Sequence, residues 1–134
     1  MGLNMAKTEL NEREWLDLWR RAVCSSVRSD APDLTARQQA ILMTVALSRG
    51  PHTVRGLATL LDIAKPAVTR ALDSLAKHGL IKRVKDETDL RSVFIERTQA
   101  GADYLREFSG MIAGASRGEE YAPAKPQLAD KQAA

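Results

Sequence analysis

The side chains of this sequence best suited to chemistry are cationic, and they are unevenly spread. From Arg49 to Arg97 ten Lys or Arg stand against six acids, a net +4, whereas residues 1–48 are neutral and residues 98–134 carry −1. The whole excess of +3 therefore lies in one central segment. Within it Lys65, Thr69, Arg70, Asp73 and Lys77 recur at the spacing of a single helical stripe, and Arg83, Lys85 and Arg91 follow on a strand-like stretch. Such cations neutralise phosphates, and an arginine fork can bond both acceptors of a guanine edge, which is worth about 1–3 kcal/mol of discrimination. Other chemistries lack their parts. No nucleophile, base and orienting residue occur together and no glycine-rich phosphate loop is present, so the chain is not expected to be an enzyme. A single cysteine, Cys24, and two histidines supply no ligand spacing, so neither a metal nor a cofactor is expected. Cys24 reads as a small core residue in preference to a redox-active thiol, and His52 as a surface or backbone-capping one.

The elements that must position the cations are punctuated chemically. Thr53 is an N-cap for a helix over residues 54–61, whose Leu57, Leu60 and Leu61 share a face, and a turn follows through Asp62, Ile63 and Ala64. A second helix is expected over residues 65–78, with Val68, Leu72 and Leu75 packing inward; Pro66 falls in its first turn, where a missing donor costs nothing, and Gly79 ends it. Residues 80–85 and 92–97 read as the arms of a hairpin with the polar tip Asp86-Glu87-Thr88-Asp89-Leu90. Ahead of this unit, Thr35 and Gln38 have capping-box spacing at the start of a helix carrying Ile41, Leu42, Val45 and Leu47, which Gly50-Pro51 stops. The short stretch between Gly50 and Thr53 has room to pair with the hairpin as a third strand.

Three patterns in this order and spacing are Leu34-Thr35-x-x-Gln38, Leu57-Ala58-x-x-Leu61-x-Ile63-x-Lys65-Pro66-x-Val68-Thr69-Arg70-x-Leu72-x-x-Leu75-x-x-x-Gly79-Leu80-Ile81-x-Arg83 with Asp89-x-Arg91, and Thr98-x-x-Gly101-x-x-x-Leu105. Together they resemble the MarR family of winged-helix transcription factors. The resemblance implies a sequence-specific regulator of bacterial or archaeal transcription that binds double-stranded DNA as a homodimer and responds to a small-molecule effector. Its recognition helix, 65–78, would enter the major groove and its wing, 82–97, the minor groove. Lys65, Pro66, Ala67, Thr69, Arg70 and Ser74 are then the residues nearest base edges, while Arg55, Lys77, Arg83 and Lys85 suit phosphates. Arg91 reaches the minor groove, and Asp89 holds the wing by pairing with Arg91 or with a residue of the recognition helix. Ala64 stands where many members have a serine cap, so the helix leans on Pro66 and packing.

The fold class expected is mainly α with a small antiparallel hairpin, a winged helix-turn-helix flanked by N- and C-terminal helices. The divisions are 1–29 for an N-terminal dimerisation helix, 30–97 for the DNA-binding unit, 98–115 for a C-terminal helix and 116–134 for a disordered tail. The first helix starts at Thr8, or at Asn11 if Asn11-x-x-Glu14 acts as a capping box, and Trp15, Leu18, Trp19, Ala22, Val23 and Val27 share its apolar face. That face either packs on its own domain or forms a subunit contact. Trp15, Leu18, Trp19, Phe108 and Ile112 are the expected dimer residues, the more so because the C-terminal helix, with Gly110 and Gly114 near its end, is shorter than the family's dimerisation region. No run approaches the roughly 18–20 apolar residues of a membrane span, and the first residues lack the apolar core of a signal peptide, so a cytoplasmic protein is expected. The readings outside gene regulation are a winged-helix adaptor that binds a protein partner and an architectural protein that binds DNA without reading it.

Overall fold

In a computed structural model of the protein, which describes residues 9–119, the elements are α1 (Glu12–Arg28), α2 (Ala36–Leu47), α3 (Val54–Leu61), α4 (Lys65–Lys77), β1 (Ile81–Lys85), β2 (Val93–Arg97) and α5 (Gln99–Ser116). Among the described residues, five helices with one two-stranded antiparallel sheet make the fold mainly helical, as the sequence predicts. Residues 32–106 form one compact unit, and among the described residues 9–31 and 107–119 belong to another. The expected start at Thr8 and most of the expected 116–134 tail lie outside the described residues.

The larger unit is held by apolar side chains at helical period. Ile41, Leu42 and Val45 from α2, Leu57 and Ala58 from α3, and Val68, Ala71, Leu72 and Leu75 from α4 are buried with Leu80, Ile81, Ile95 and Tyr104. Burial of this kind stabilises by about 25 cal/mol per Å² of apolar surface removed from water. Helix α4 touches α2, α3 and β1, so the cationic helix is fixed from three sides. Two leucines depart from expectation: Leu60 is 63% exposed and Leu47 is 77% exposed. Both lie at the margin of their stripes, and on α3 the buried residues are Leu57 and the small Ala58.

The turn of the helix-turn-helix is closed by hydrogen bonds that the sequence disguises. Ile63 N–H donates to the Ala58 carbonyl and Asp62 N–H to that of Thr59, with Asp62 at φ 55°. The end of α4 uses the same pair of bonds, Leu80 to Leu75 and Gly79 to Ala76, around Gly79 at φ 75°. Asp62 thus does what glycine does at the next helix end, and aspartate tolerates the left-handed region better than most residues. Asp62→Val, with a branched Cβ there, is expected to lower the unfolding free energy by about 1–2 kcal/mol, and Asp62→Gly to leave it unchanged or raise it slightly. Urea unfolding with an unchanged slope is the measurement.

Beyond Gly79 the chain is clamped to the start of α5. Thr98 Oγ1 donates to the Gly79 carbonyl at 2.5 Å and accepts from Gly101 N–H at 3.0 Å, while Thr98 N–H donates to the Leu80 carbonyl at 3.1 Å. A Cβ on Gly101 would overlap the Leu80 carbonyl oxygen. The Thr98-x-x-Gly101 pattern is therefore a junction between α4 and α5.

In the smaller unit α1 begins at the Asn11 capping box: Glu14 N–H donates to Asn11 Oδ1 at 2.9 Å, Asn11 N–H donates to Glu14 Oε1 at 3.3 Å, and Glu9 and Leu10 are outside the helix. Helix α5 passes through Gly110 and Gly114 unbroken and stops where Gly118 takes φ 75°. Phe108 is buried and meets the Trp19 ring edge-on, with centroids 5.6 Å apart and an interplanar angle of 87°.

Candidate nucleic-acid interface

The site is built on α4. Its N-cap, Ala64, makes no side-chain bond, and Pro66 stands in the first turn, so packing of Val68, Ala71, Leu72 and Leu75 holds the helix while the opposite stripe faces solvent. Lys65, Pro66, Thr69, Arg70 and Lys77 are exposed on that stripe; Ala67 and Ser74 are half-buried beside it. Arg55, in the first turn of α3, and Lys85, at the far end of β1, are also exposed. Among the described residues none of Arg55, Lys65, Arg70, Lys77 and Lys85 forms an ion pair. Their charges remain available to an outside anion.

A cleft of about 470 Å³ runs beside Arg70, lined by Thr35, Arg37 and Gln38 of the α2 start and by Ala67, Ala71 and Ser74 of α4. It puts Arg37 at the site, a residue that sequence reasoning passes over because it lies outside the helix-turn-helix. The signal that could have found it is its place two residues after the Thr35 cap, on the helix that α4 packs against.

Arg83 adds a contact within the unit. Its guanidinium is not unpaired as the other expected phosphate-binding cations are, but meets Asp73 of α4 at 2.8 Å. The pair ties wing to recognition helix. Both groups are substantially exposed, so a double-mutant cycle on Asp73→Ala and Arg83→Ala is expected to give a coupling of about 0.2–1 kcal/mol that shrinks in high salt.

The wing is a regular hairpin, Lys85 opposite Val93 at the outer end and Ile81 opposite Arg97 at the root. Its first arm lacks clean alternation because β1 touches α4 at its root while Val84 pairs with Phe94 on the other face. The third strand is a single antiparallel bridge: Ile95 N–H donates to the His52 carbonyl at 2.8 Å, and the His52 ring Nε2 lies 3.1 Å from the Ser48 carbonyl at the end of α2. His52 is thus a backbone-capping residue. Of the two partners open to Asp89, the structure uses Arg91, whose Nε is 3.4 Å and whose backbone N–H is 3.1 Å from Asp89 Oδ1. Asp86 turns inward too, and hydrogen bonds from the Thr88 hydroxyl and then the Thr88 amide hold its carboxyl below the usual carboxylate range. The help these bonds give the tip is complete above the ordinary aspartate pKa and is lost as pH falls through the lowered value. With both aspartates turned in, the Arg91 side chain projects at 93% exposure.

The stretch from residue 34 to residue 93, holding α2, the helix-turn-helix and the wing up to the start of β2, matches the model of the MarR family. Over those residues this winged helix is similar to the MarR family. The transcriptional regulator AdcR of Streptococcus pneumoniae is 40% identical over 74 residues, which are 55% of this chain and 49% of AdcR. The match thus spans about half the length of that relative. The crystal structure of the adhesin competence repressor AdcR from Streptococcus pyogenes is 28% identical, with a TM-score of 0.52 over 74% of this chain and 70% of that one. A MepR–DNA complex from S. aureus, 21% identical with a TM-score of 0.58 over 75% of this chain and 77% of that one, shares the fold. The two solved structures share the fold of this chain.

Of the dimer residues expected outside this winged helix, Phe108 is only 4% exposed, so it is not a surface residue but a support behind Trp19. Trp15 and Trp19 remain exposed, with Val23 and Val27 continuing their row at four-residue spacing along α1, while Leu18 and Ile112 are half-buried. The broad apolar face expected of α1 is therefore split: Ala22 is buried and the Trp15–Val27 row is not.

Proposed function

We propose that the protein is a sequence-specific, double-stranded DNA-binding regulator of transcription that acts as a homodimer in the cytoplasm. The observation that carries this reading is the unpaired cationic stripe of α4, with Arg70 at its centre, standing on a MarR-like winged helix beside a hairpin whose Arg91 side chain is 93% exposed. Helix α4 enters the major groove, where one helix fits and base edges can be read, and Arg70 supplies the fork for a guanine. Thr69 bonds a phosphate or touches a thymine methyl. Arg55, Lys65, Lys77, Lys85 and Arg37 neutralise phosphates, which makes affinity fall steeply with salt. Arg91 enters the minor groove, where a narrow A·T tract concentrates negative potential. Relatives that carry this winged helix are named as transcriptional regulators, and the chemistry asked of the chain is binding, with no bond made or broken.

The Trp15–Trp19–Val23–Val27 row supports the homodimer, because an exposed apolar row along a whole helix is costly in a monomer. A two-fold dimer would present two α4 helices to half-sites about one helical turn of DNA apart. No helix among the described residues is long and apolar enough to cross a membrane.

The test is retention of duplexes from a randomised pool, followed by sequencing of what is bound. A palindromic motif is the expected result. Retention with no motif would mean architectural binding through phosphates, and no retention at low salt would leave the α1 row as an adaptor surface and sink the regulator reading.

A further inference from the structure

The tip of the hairpin carries a side chain that its own turn does not explain. Of its seven residues, Asp86 and Asp89 fold inward onto Thr88, Arg91 and Ser92, and Asp86 N–H and Ser92 N–H close the turn on the Ser92 and Asp89 carbonyls. Polar residues are thus spent on the turn. Leu90, between Asp89 and Arg91, is 72% exposed, although turn positions favour small or polar residues and nothing in the hairpin covers it. A leucine beside a projecting arginine offers apolar contact and positive charge at one point. The walls of a narrow minor groove match that pair, with deoxyribose C–H surface on either side and concentrated negative potential between.

We infer that Leu90 is a further specificity residue, packing its side chain against the sugar wall of the minor groove so that Arg91 enters only where the groove is narrow. The inference rests on the DNA-binding reading above. Apolar contact with sugar releases no counterions, so Leu90 acts on groove preference and leaves the salt slope alone, whereas Arg91 acts on both. The two neighbouring residues then have separable signatures.

The test uses the full chain and two duplex pools, each with a randomised core, one flanked by A·T pairs only and the other by G·C pairs only. Wild type, Leu90→Ala, Leu90→Met and Arg91→Ala are compared at two salt concentrations. The wild type is expected to favour A·T flanks; Leu90→Ala should bind that pool about three- to tenfold more weakly with an unchanged salt slope, and Leu90→Met should keep wild-type preference. Arg91→Ala should lose affinity and lower the slope by about one. Equal binding of both pools by wild type and Leu90→Ala overturns the inference and leaves DNA binding standing. A slope change in Leu90→Ala as large as that in Arg91→Ala also overturns it, since Leu90 would then act only by holding Arg91. If the wild type retains neither pool, the DNA reading itself fails and this inference fails with it.

Discussion

Arg70→Ala is expected to weaken binding to the preferred duplex by about 10- to 100-fold while changing binding to unrelated duplexes only slightly. Three features make Arg70 the residue with most to lose. It lies on the solvent stripe of α4, within the first two turns, and the buried stripe of Val68, Ala71, Leu72 and Leu75 prevents the helix from rotating to present another side chain. Its charge is unpaired among the described residues, whereas Asp73, one turn further on, is occupied by Arg83. The open cleft beside it, with Arg37 and Ser74 in its walls, leaves the guanidinium room to adopt the planar geometry of a two-bond contact. Arg70→Lys should restore little, because an ammonium keeps the charge and loses the fork. Titration of both variants on the selected motif and on a scrambled duplex, at two salt concentrations, is the measurement. Parallel loss on both duplexes with a shallower salt slope would reassign Arg70 to a phosphate and move base reading to Thr69 or Lys65.

The largest expected effect on stability is at Gly101. Gly101→Ala should lower the unfolding free energy by about 2–3 kcal/mol, because its Cβ and the Leu80 carbonyl oxygen cannot share the same space and one of the two backbones must move. Leu80 and Ile81 are buried, so the movement cannot be confined to the surface, and it pulls at the bond from Thr98 Oγ1 to the Gly79 carbonyl that locks the end of α4. Thr98→Val, which keeps the shape and removes both hydroxyl bonds, should cost about 1–2 kcal/mol. Because the two positions share one junction, Thr98→Val combined with Gly101→Ala should cost less than the separate losses added together. Urea unfolding of the four chains checks both statements. An unchanged midpoint for Gly101→Ala would mean that α5 starts further from α4 than the backbone geometry indicates.

Both effects begin with local rules, and local rules account for most of what could be read from the chain beforehand. Thr35 with Gln38, Thr53, Pro66 and Gly79 act within one turn of themselves, through caps, a lost donor and a left-handed residue, so their positions marked the helix ends to within a residue or two. Asp62 was legible as a turn though not as a substitute for glycine, since its left-handed backbone shows only in the bonds around it. The start of α1 turned on whether Asn11 and Glu14 close on each other, and they do.

What the sequence determined by itself was the set of elements, their order and which stripe of α4 bears the cations, because each follows from spacing along one segment. Tertiary structure alone decided how those surfaces were used. Arg83 was paired with Asp73, ten residues away in sequence and 2.8 Å away in space, and Arg37 was brought beside Arg70 by the packing of α2 on α4. Leu60 and Leu47 were left in solvent, and Phe108 was withdrawn behind Trp19. Periodicity tells which side chains share a face; how much of that face is covered, and which charges meet, depends on the approach of segments distant in the chain, and no local pattern carries that distance.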